Sequence, residues 1–265
     1  GPALRLTLGA RVEHNDYTGR EFLPNVRLAW KASPSHLLWA AASRTVRAPS
    51  RLDHDTYVPG TPPFLLAGGE TVRSETADVL ELGYRGQPTP DTSFSITAFR
   101  ADYDHLRTQE IDPGRTFVFY ANNMTGRAEG VEMWGAWQVS PTWRLSGGAT
   151  WLGQDFRLRP ASNDALAVPA LEGANPERRW LLRSAHQLPH NTELDLMLRH
   201  VSALSLPAVP SYWALDMRIG WRPSAKLELA VAGRNLFSAG HGEFTDVATR
   251  SHLGPSVFLS ARCEF

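Results

Sequence analysis

The stretch "WALDMRIGW", Trp213 to Trp221, decides the fold. Trp213, Leu215, Met217, Ile219 and Trp221 alternate with Ala214, Asp216, Arg218 and Gly220. Apolar residues recurring every second position put one side of a strand in an apolar medium and the other in a polar one. Arg218, set between Met217 and Ile219, fixes the register. A slip by one residue would turn Asp216, Arg218 and Arg222 together onto the apolar side. Because the lumen of a barrel tolerates charge and hydrocarbon does not, Met217→Arg is expected to impair folding strongly, and Asp216→Asn hardly at all.

The same alternation recurs outward from this strand. Leu4, Leu6, Leu8, Ala10 and Val12 interleave with polar residues near the start. Val257, Leu259, Ala261, Cys263 and Phe265 do so at the end. Twelve strands are read, at about 4–14, 22–31, 36–46, 75–85, 92–104, 117–139, 143–152, 178–187, 192–202, 211–222, 226–236 and 256–265. Every second connection is a short Pro/Ser/Asn turn: Ala32 to Ser35, Ser140 to Thr142, Leu188 to Asn191 and Pro223 to Ala225. The others are mostly long, about 47–74, 105–116, 153–177 and 237–255. One continuous antiparallel sheet in sequence order is expected, with all long loops at one end, which is the asymmetry of a transmembrane β-barrel. Trp30, Trp137, Trp143 and Trp221 lie near the short turns, where an interfacial aromatic girdle would place them. Two strands leave their faces open. The third, around Leu37 to Ala42, is apolar on both sides. The fifth sets Phe94, Ile96 and Ala98 against Phe99, Ala101 and Tyr103, which suggests a bulge or a patch packed on the lumen side.

Composition narrows the function classes. Lys and Arg equal Asp and Glu at 27 each, so no basic excess exists to meet nucleic acid phosphates. No run of 18 apolar residues encodes a membrane helix, but a barrel strand needs only about 9–11 residues. Cys263 is the only cysteine, which excludes an intrachain disulfide and a Cys-based zinc site. The nine histidines lack H-x-x-x-H spacing, and no nucleophile–base constellation stands out, so neither a metal site, a cofactor nor an enzyme is expected. The chain starts at Gly1 without an export leader, which is expected either to have been cleaved or to lie upstream in a longer protein.

Several segments resemble the C-terminal barrel part of TonB-dependent outer-membrane receptors. "PNVRLAWKASPSHLLWAAASRTVRAPS" (Pro24 to Ser50) looks like the family's strand, turn, strand and Arg-Ala-Pro entry to an external loop. "SETADVLELGYRG" (Ser74 to Gly86) resembles the return strand, and "NNMTGRAEGVEMWGAWQVSPTWRLSGGATW" (Asn122 to Trp151) a hairpin with a Gly-Val-Glu core. "LELAVAGRNLF" (Leu227 to Phe237) and "VFLSARCEF" (Val257 to Phe265) resemble the last two strands. The resemblance covers essentially residues 1–265. It implies a piece of a 22-strand barrel in the Gram-negative outer membrane, with the plug domain and early strands outside this sequence. The implied partners are lipid, the plug and through it the TonB energising complex, the barrel assembly machinery, and a small-molecule ligand such as an iron–siderophore chelate. Phe265, Leu259 and Val257 are similar to the assembly signal that ends such barrels. A piece of so wide a barrel is expected to form an open, curved sheet, or to close only with strain between residues 4–12 and 257–265.

The candidate recognition surface is the loop after the third strand, with Arg47, Arg51, Asp53, His54, Asp55 and Tyr57. Arginine matches the carboxylate, catecholate or phosphate groups of an anionic ligand. Each of these residues can equally hold the loop to itself. "GHGEF" (Gly240 to Phe244) and "DVATRSH" (Asp246 to His252) are weaker versions. Arg11, Glu81, Glu132, Asp216, Arg218 and Arg234 are expected on the lumen side, against a plug or paired along the wall. Two rival readings remain beside the receptor: a self-contained 12-strand barrel, as in an autotransporter translocator or passive pore, and a soluble all-β binding module.

Overall fold

Five tight turns set the topology of the computed structural model, which describes residues 3–238 and 240–264. Ser33 accepts the Ser35 amide and Ser140 the Thr142 amide, closing their turns with side-chain oxygens (3.2 and 3.3 Å). His190 and Asn191 both take positive φ, 62° and 55°, the conformation that matches the twist of two adjoining strands. The elements run β1 Leu4–Asn15, β2 Gly19–Ser33, β3 His36–Arg47, α1 Arg51–Asp55, β4 Leu66–Ala67, β5 Glu75–Thr89, β6 Thr92–Ile111, β7 Val118–Ser140 and β8 Trp143–Leu158. Then follow α2 Ala167–Gly173, β9 Arg178–Leu188, β10 Thr192–Val201, β11 Leu204–Ser205, β12 Ala208–Val209, β13 Tyr212–Ser224, β14 Leu227–Arg234 and β15 Ser256–Cys263.

Twelve of these strands form one antiparallel path in sequence order, β1-β2-β3-β5-β6-β7-β8-β9-β10-β13-β14-β15. Successive connections therefore fall at opposite ends. One end holds only the short turns 34–35, 90–91, 141–142, 189–191 and 225–226. The other holds 48–74, 112–117, 159–177, 202–211, 235–255 and the tight turn 16–18. Among the described residues β1 and β15 do not pair with each other, so the sheet is open, with those two strands as its edges.

The strands run further at the loop end than alternation reveals. β6 continues to Ile111 and β8 to Leu158, where loops were expected from 105 and from 153. Alternation marks only the part of a strand that separates two media. Beyond it the hydrogen-bond ladder of β6 and β7 continues, through irregularities at Tyr103/Leu106 and Leu106/Thr108, with His105 at a φ of 56°.

Cross-strand register resolves the ambiguous faces. Leu4 pairs Trp30, Trp30 pairs Leu38, and Leu38 pairs Tyr84, so Leu38, Ala40 and Ala42 share the apolar face. Trp39 lies on the polar face above Gly83, where a Cβ would come within 2.1 Å of the indole. In β6, Phe94, Ile96 and Ala98 are on the apolar face, and Phe99 turns the other way over Gly130. The strand is regular there. Glycine on the facing strand makes room for an aromatic ring on the polar side. Gly83→Ala in the intact protein should therefore cost about 1–3 kcal/mol through overpacking. Unchanged stability in a denaturant titration would mean that Trp39 does not occupy this seat.

The apolar face is continuous and exposed from β1 to β15, with Leu4, Leu8, Leu82, Trp137, Trp213, Val231 and Leu259 all open. A band this wide belongs against hydrocarbon rather than water. Register places seven of the nine tryptophans on it, all but Trp39 and Trp134. Trp143 and Trp151 on β8, and Trp221 and Trp213 on β13, each bracket a strand segment of about 27 Å, which is about 20 Å across a membrane at the usual barrel tilt. The polar face carries the ion pairs Arg183–Asp195, Arg199–Asp216 and Arg218–Glu193 (2.6, 2.9 and 3.4 Å). Asp216 also accepts the Asn235 amide at 2.9 Å. It is therefore a brace of the wall, and Asp216→Asn would remove the charge paired with Arg199 while keeping an oxygen acceptor for the Asn235 amide.

Candidate functional site

The loop after β3 is strapped across the loop end of the sheet. Ser50 caps α1: its hydroxyl accepts from the Asp53 amide, while Asp53 accepts the Ser50 amide at 2.9 Å. Asp53 is 0% exposed. It also receives Arg47 at 3.3 Å and Arg107 of β6 at 2.5 Å. Burial by itself would push the Asp53 carboxyl up. The Ser50 amide, the Arg107 guanidinium and the Ser50 hydroxyl outweigh that and hold it at about 2. Glu75 completes the knot, taking Nε and Nη2 of Arg47 (both 2.6 Å) and the Arg107 amide (2.8 Å). Further along, β4 pairs in parallel with Val118 and Phe119 of β7, and Asn122 bonds the backbone of Arg73 in both directions.

The six candidate residues of this loop thus separate. Arg47 and Asp53 hold the knot. Asp55 accepts the Tyr17 hydroxyl at 2.8 Å, and His54 lies against the Tyr17 ring with its Nδ1 2.8 Å from Asp55. Tyr57 packs on Phe64, its hydroxyl 3.4 Å from Glu70. Arg51 is exposed and, among the described residues, its guanidinium has no partner. The later loop is also tied inward. His241, 7% exposed, stacks on Tyr212 at 3.8 Å, and both approach Glu243 at 3.2 Å.

Beside the knot, a cleft of about 520 Å³ opens between the strand ends and α2. Its charged lining is Arg47, Glu75, Arg107 and Asp164, and its apolar lining includes Leu106, Met124 and Leu171. The apolar wall belongs to a small core in which Leu106, Met124 and Phe156 pack with Val168 and Leu171 of α2. A buried Glu110 fixes the neighbouring loop, accepting from Thr108, Asn123, Ser162 and the Asn163 amide. The arrangement sets a polar side, in which Arg107 alone keeps a guanidinium donor uncommitted among the described residues, beside an apolar side. Arg107 and the apolar wall were not singled out in the sequence, because that part of β6 reads as loop and its partner Asp53 is distant in the chain.

The sequence model of the family described as TonB dependent receptor-like, beta-barrel matches residues 1–236. The chain belongs to that family. Its apolar face is accordingly the lipid-facing surface of a transmembrane barrel segment, and its polar face the lumen wall. The catecholate siderophore receptor Fiu of Escherichia coli K12 is 25% identical over 200 residues, covering 71% of this chain and 25% of that protein. The chain therefore spans about a quarter of the length of the curated relatives it matches. Among solved structures, the ferric enterobactin receptor PfeA in complex with BCV-L6 superposes with a TM-score of 0.77 at 17% identity, over 100% of this chain and 44% of that one. The FrpB iron transporter of Neisseria meningitidis gives 0.76 at 14% identity, over 100% and 43%. At such identities these structures establish the shared fold.

Proposed function

We propose that residues 1–265 form the C-terminal part of the barrel of an outer-membrane receptor for ferric siderophores, with catecholate chelates as the leading class. The observation that carries this is the loop-end cleft, whose lining sets Arg107, with Nη2 uncommitted among the described residues, beside Leu106, Met124 and Leu171. A catecholate chelate is anionic and aromatic, and both properties find a complement there. The names of the relatives point the same way. In this reading the lumen wall contacts a plug domain, and through it the TonB energising complex drives transport. Arg51, whose guanidinium has no partner among the described residues, is the loop residue best placed to meet an arriving chelate; Asp53 and Arg47 shape the mouth, and His54, Asp55 and Tyr57 stiffen it. Val257 and Leu259, both exposed on the lipid face of β15, act with Phe265 as the signal read by the assembly machinery. Phe265 lies outside the described residues. The open sheet speaks against a self-contained 12-strand barrel, and the exposed apolar band against a soluble module.

The test is uptake of radioactive iron, offered as a ferric catecholate chelate, by cells whose sole siderophore receptor is the intact protein. Saturable uptake that vanishes on gene deletion and on collapse of the proton gradient is expected. Uptake indifferent to the deletion would sink the proposal.

A further inference from the structure

Beyond Asp104 one edge of β6 has no neighbouring strand. β5 pairs with it only as far as Thr76 opposite Asp104, while β7 follows its other edge up to Ile111. The amides of Arg107, Gln109 and Ile111 point away from β7, and each meets a side chain where a strand would have offered a carbonyl. Arg107 donates to Glu75 at the start of β5 (2.8 Å), Gln109 to Asp164 (2.7 Å) and Ile111 to Asn163 (2.8 Å). Asn163 also donates its Nδ2 to the Ile111 carbonyl at 2.8 Å. Asn163 and Asp164 belong to the connection between β8 and β9, so that connection reaches past β7 to seal β6. One strand edge thus anchors both sides of the cleft, the knot around Arg107 and the segment that leads into α2.

A single carboxylate pins this substitute strand. Glu110, 2% exposed, receives Thr108 (2.7 Å), Asn123 (3.0 Å) and Ser162 (2.8 Å) on Oε1 and the Asn163 amide (2.7 Å) on Oε2. All four donors are neutral, so hydrogen bonds alone hold the buried charge, and removing them would leave it unsolvated. From Glu110 the path to the cleft is short. The Ser162 hydroxyl accepts the Asp164 amide at 3.2 Å. Asp164 in turn accepts the amides of Leu166 and Ala167 (3.1 and 3.0 Å), where α2 begins. Leu166, Ala167, Ala170 and Leu171 line the cleft, and Glu110 stands outside that lining.

We propose that Glu110 is a positioning residue for ligand capture: by latching Ser162 to Asp164 onto the edge of β6, it fixes how far α2 stands from Arg107 and so the width of the cleft. Its role in capture rests on the receptor reading above; the latch itself does not. Glu110→Gln in the intact protein tests both, because glutamine keeps the size and places a donor where donors already converge. Amide exchange across 159–177 should accelerate about tenfold or more, while 48–74, held by Asp53, keeps its protection. Uptake of iron offered as a ferric catecholate chelate should show KM raised about tenfold, with the maximal rate within about twofold of wild type. A variant that merely folded poorly would show the opposite split, since fewer receptors lower the maximal rate and leave KM alone. Ser162→Ala removes one of the four donors and the acceptor of the Asp164 amide, and should move both readouts the same way by about threefold. It carries the test if Glu110→Gln does not fold, as read from heat-modifiable migration on gels. Unchanged exchange across 159–177 overturns the latch. Faster exchange with an unchanged KM overturns the role in capture. Absence of saturable uptake by wild type overturns the receptor reading instead, and exchange still decides the latch.

Discussion

Met217→Arg should cost about 2–4 kcal/mol of folding stability in a bilayer, while Met197→Arg on the neighbouring strand should cost less than about 1 kcal/mol. The two methionines make a matched pair. Met217 lies opposite Leu196 on the lipid face, midway between Trp213 and Trp221, so a guanidinium there enters hydrocarbon near its centre. Met197 lies on the lumen wall between Asp216 and Arg183, where water and the Asp216 carboxylate receive the charge and screen it from Arg183. Residue type, strand length and distance from the rims are closely shared, and the facing medium differs. Unfolding titrations of both variants of the intact protein in lipid vesicles measure the difference. Equal losses would mean that β13 does not separate lipid from lumen.

Asp53→Ala should release the loop 48–74 while leaving the barrel wall folded. The substitution removes two things at once: the carboxylate that pairs Arg47 and Arg107, and the acceptor of the Ser50 amide, which is the reciprocal half of the α1 cap. Loss of a buried anion with two cationic partners, softened here because both arginines reach solvent, is expected to cost about 3 kcal/mol of local stability. The pH dependence has a definite sign. A carboxyl held at about 2 in the folded loop, against an ordinary 3.8, stabilises it fully above about pH 4, and that contribution disappears as pH falls through about 2. Amide exchange across 48–74 should accelerate strongly in Asp53→Ala at neutral pH. In wild type, protease should begin to cut this loop on acidification toward pH 2, and Asp53→Asn should be cut already at pH 5. Protection of the loop unchanged in both variants would remove Asp53 from its role.

Much of the wall was legible because a membrane imposes a simple rule: a strand dividing lipid from lumen must alternate. Arg218 between Met217 and Ile219 fixes its strand's faces with no further information. The rule fails where the two media stop differing. Leu106 to Ile111 continue a ladder above the membrane without alternating, so they read as loop, and Arg107 and the cleft were lost with them. Trp39 and Phe99 obscured their strands for another reason. Each sits over a glycine on the adjacent strand, Gly83 or Gly130, and that pairing exists only once register is known. Within the loop, residue types were informative and roles were not. Arg47 and Asp53 have the chemistry of ligand-binding groups, and they turn it on each other and on Arg107.

The alternation of turns of two or three residues with loops of up to 27 residues also sets an order of events in time. Closing a loop of 27 residues instead of two costs about 2 kcal/mol more in chain entropy. β1–β2, β2–β3, β5–β6, β7–β8, β9–β10 and β13–β14 are each joined by the short kind, so each pair is able to zip by itself in microseconds. The pairings across 48–74, 159–177 and 235–255 must wait for diffusion of hairpins already made. Assembly is then expected to proceed by whole units, β1–β2–β3 first among them in chain order, with intermediates that end on β3, β6, β8, β10 or β14 rather than between the two arms of a hairpin.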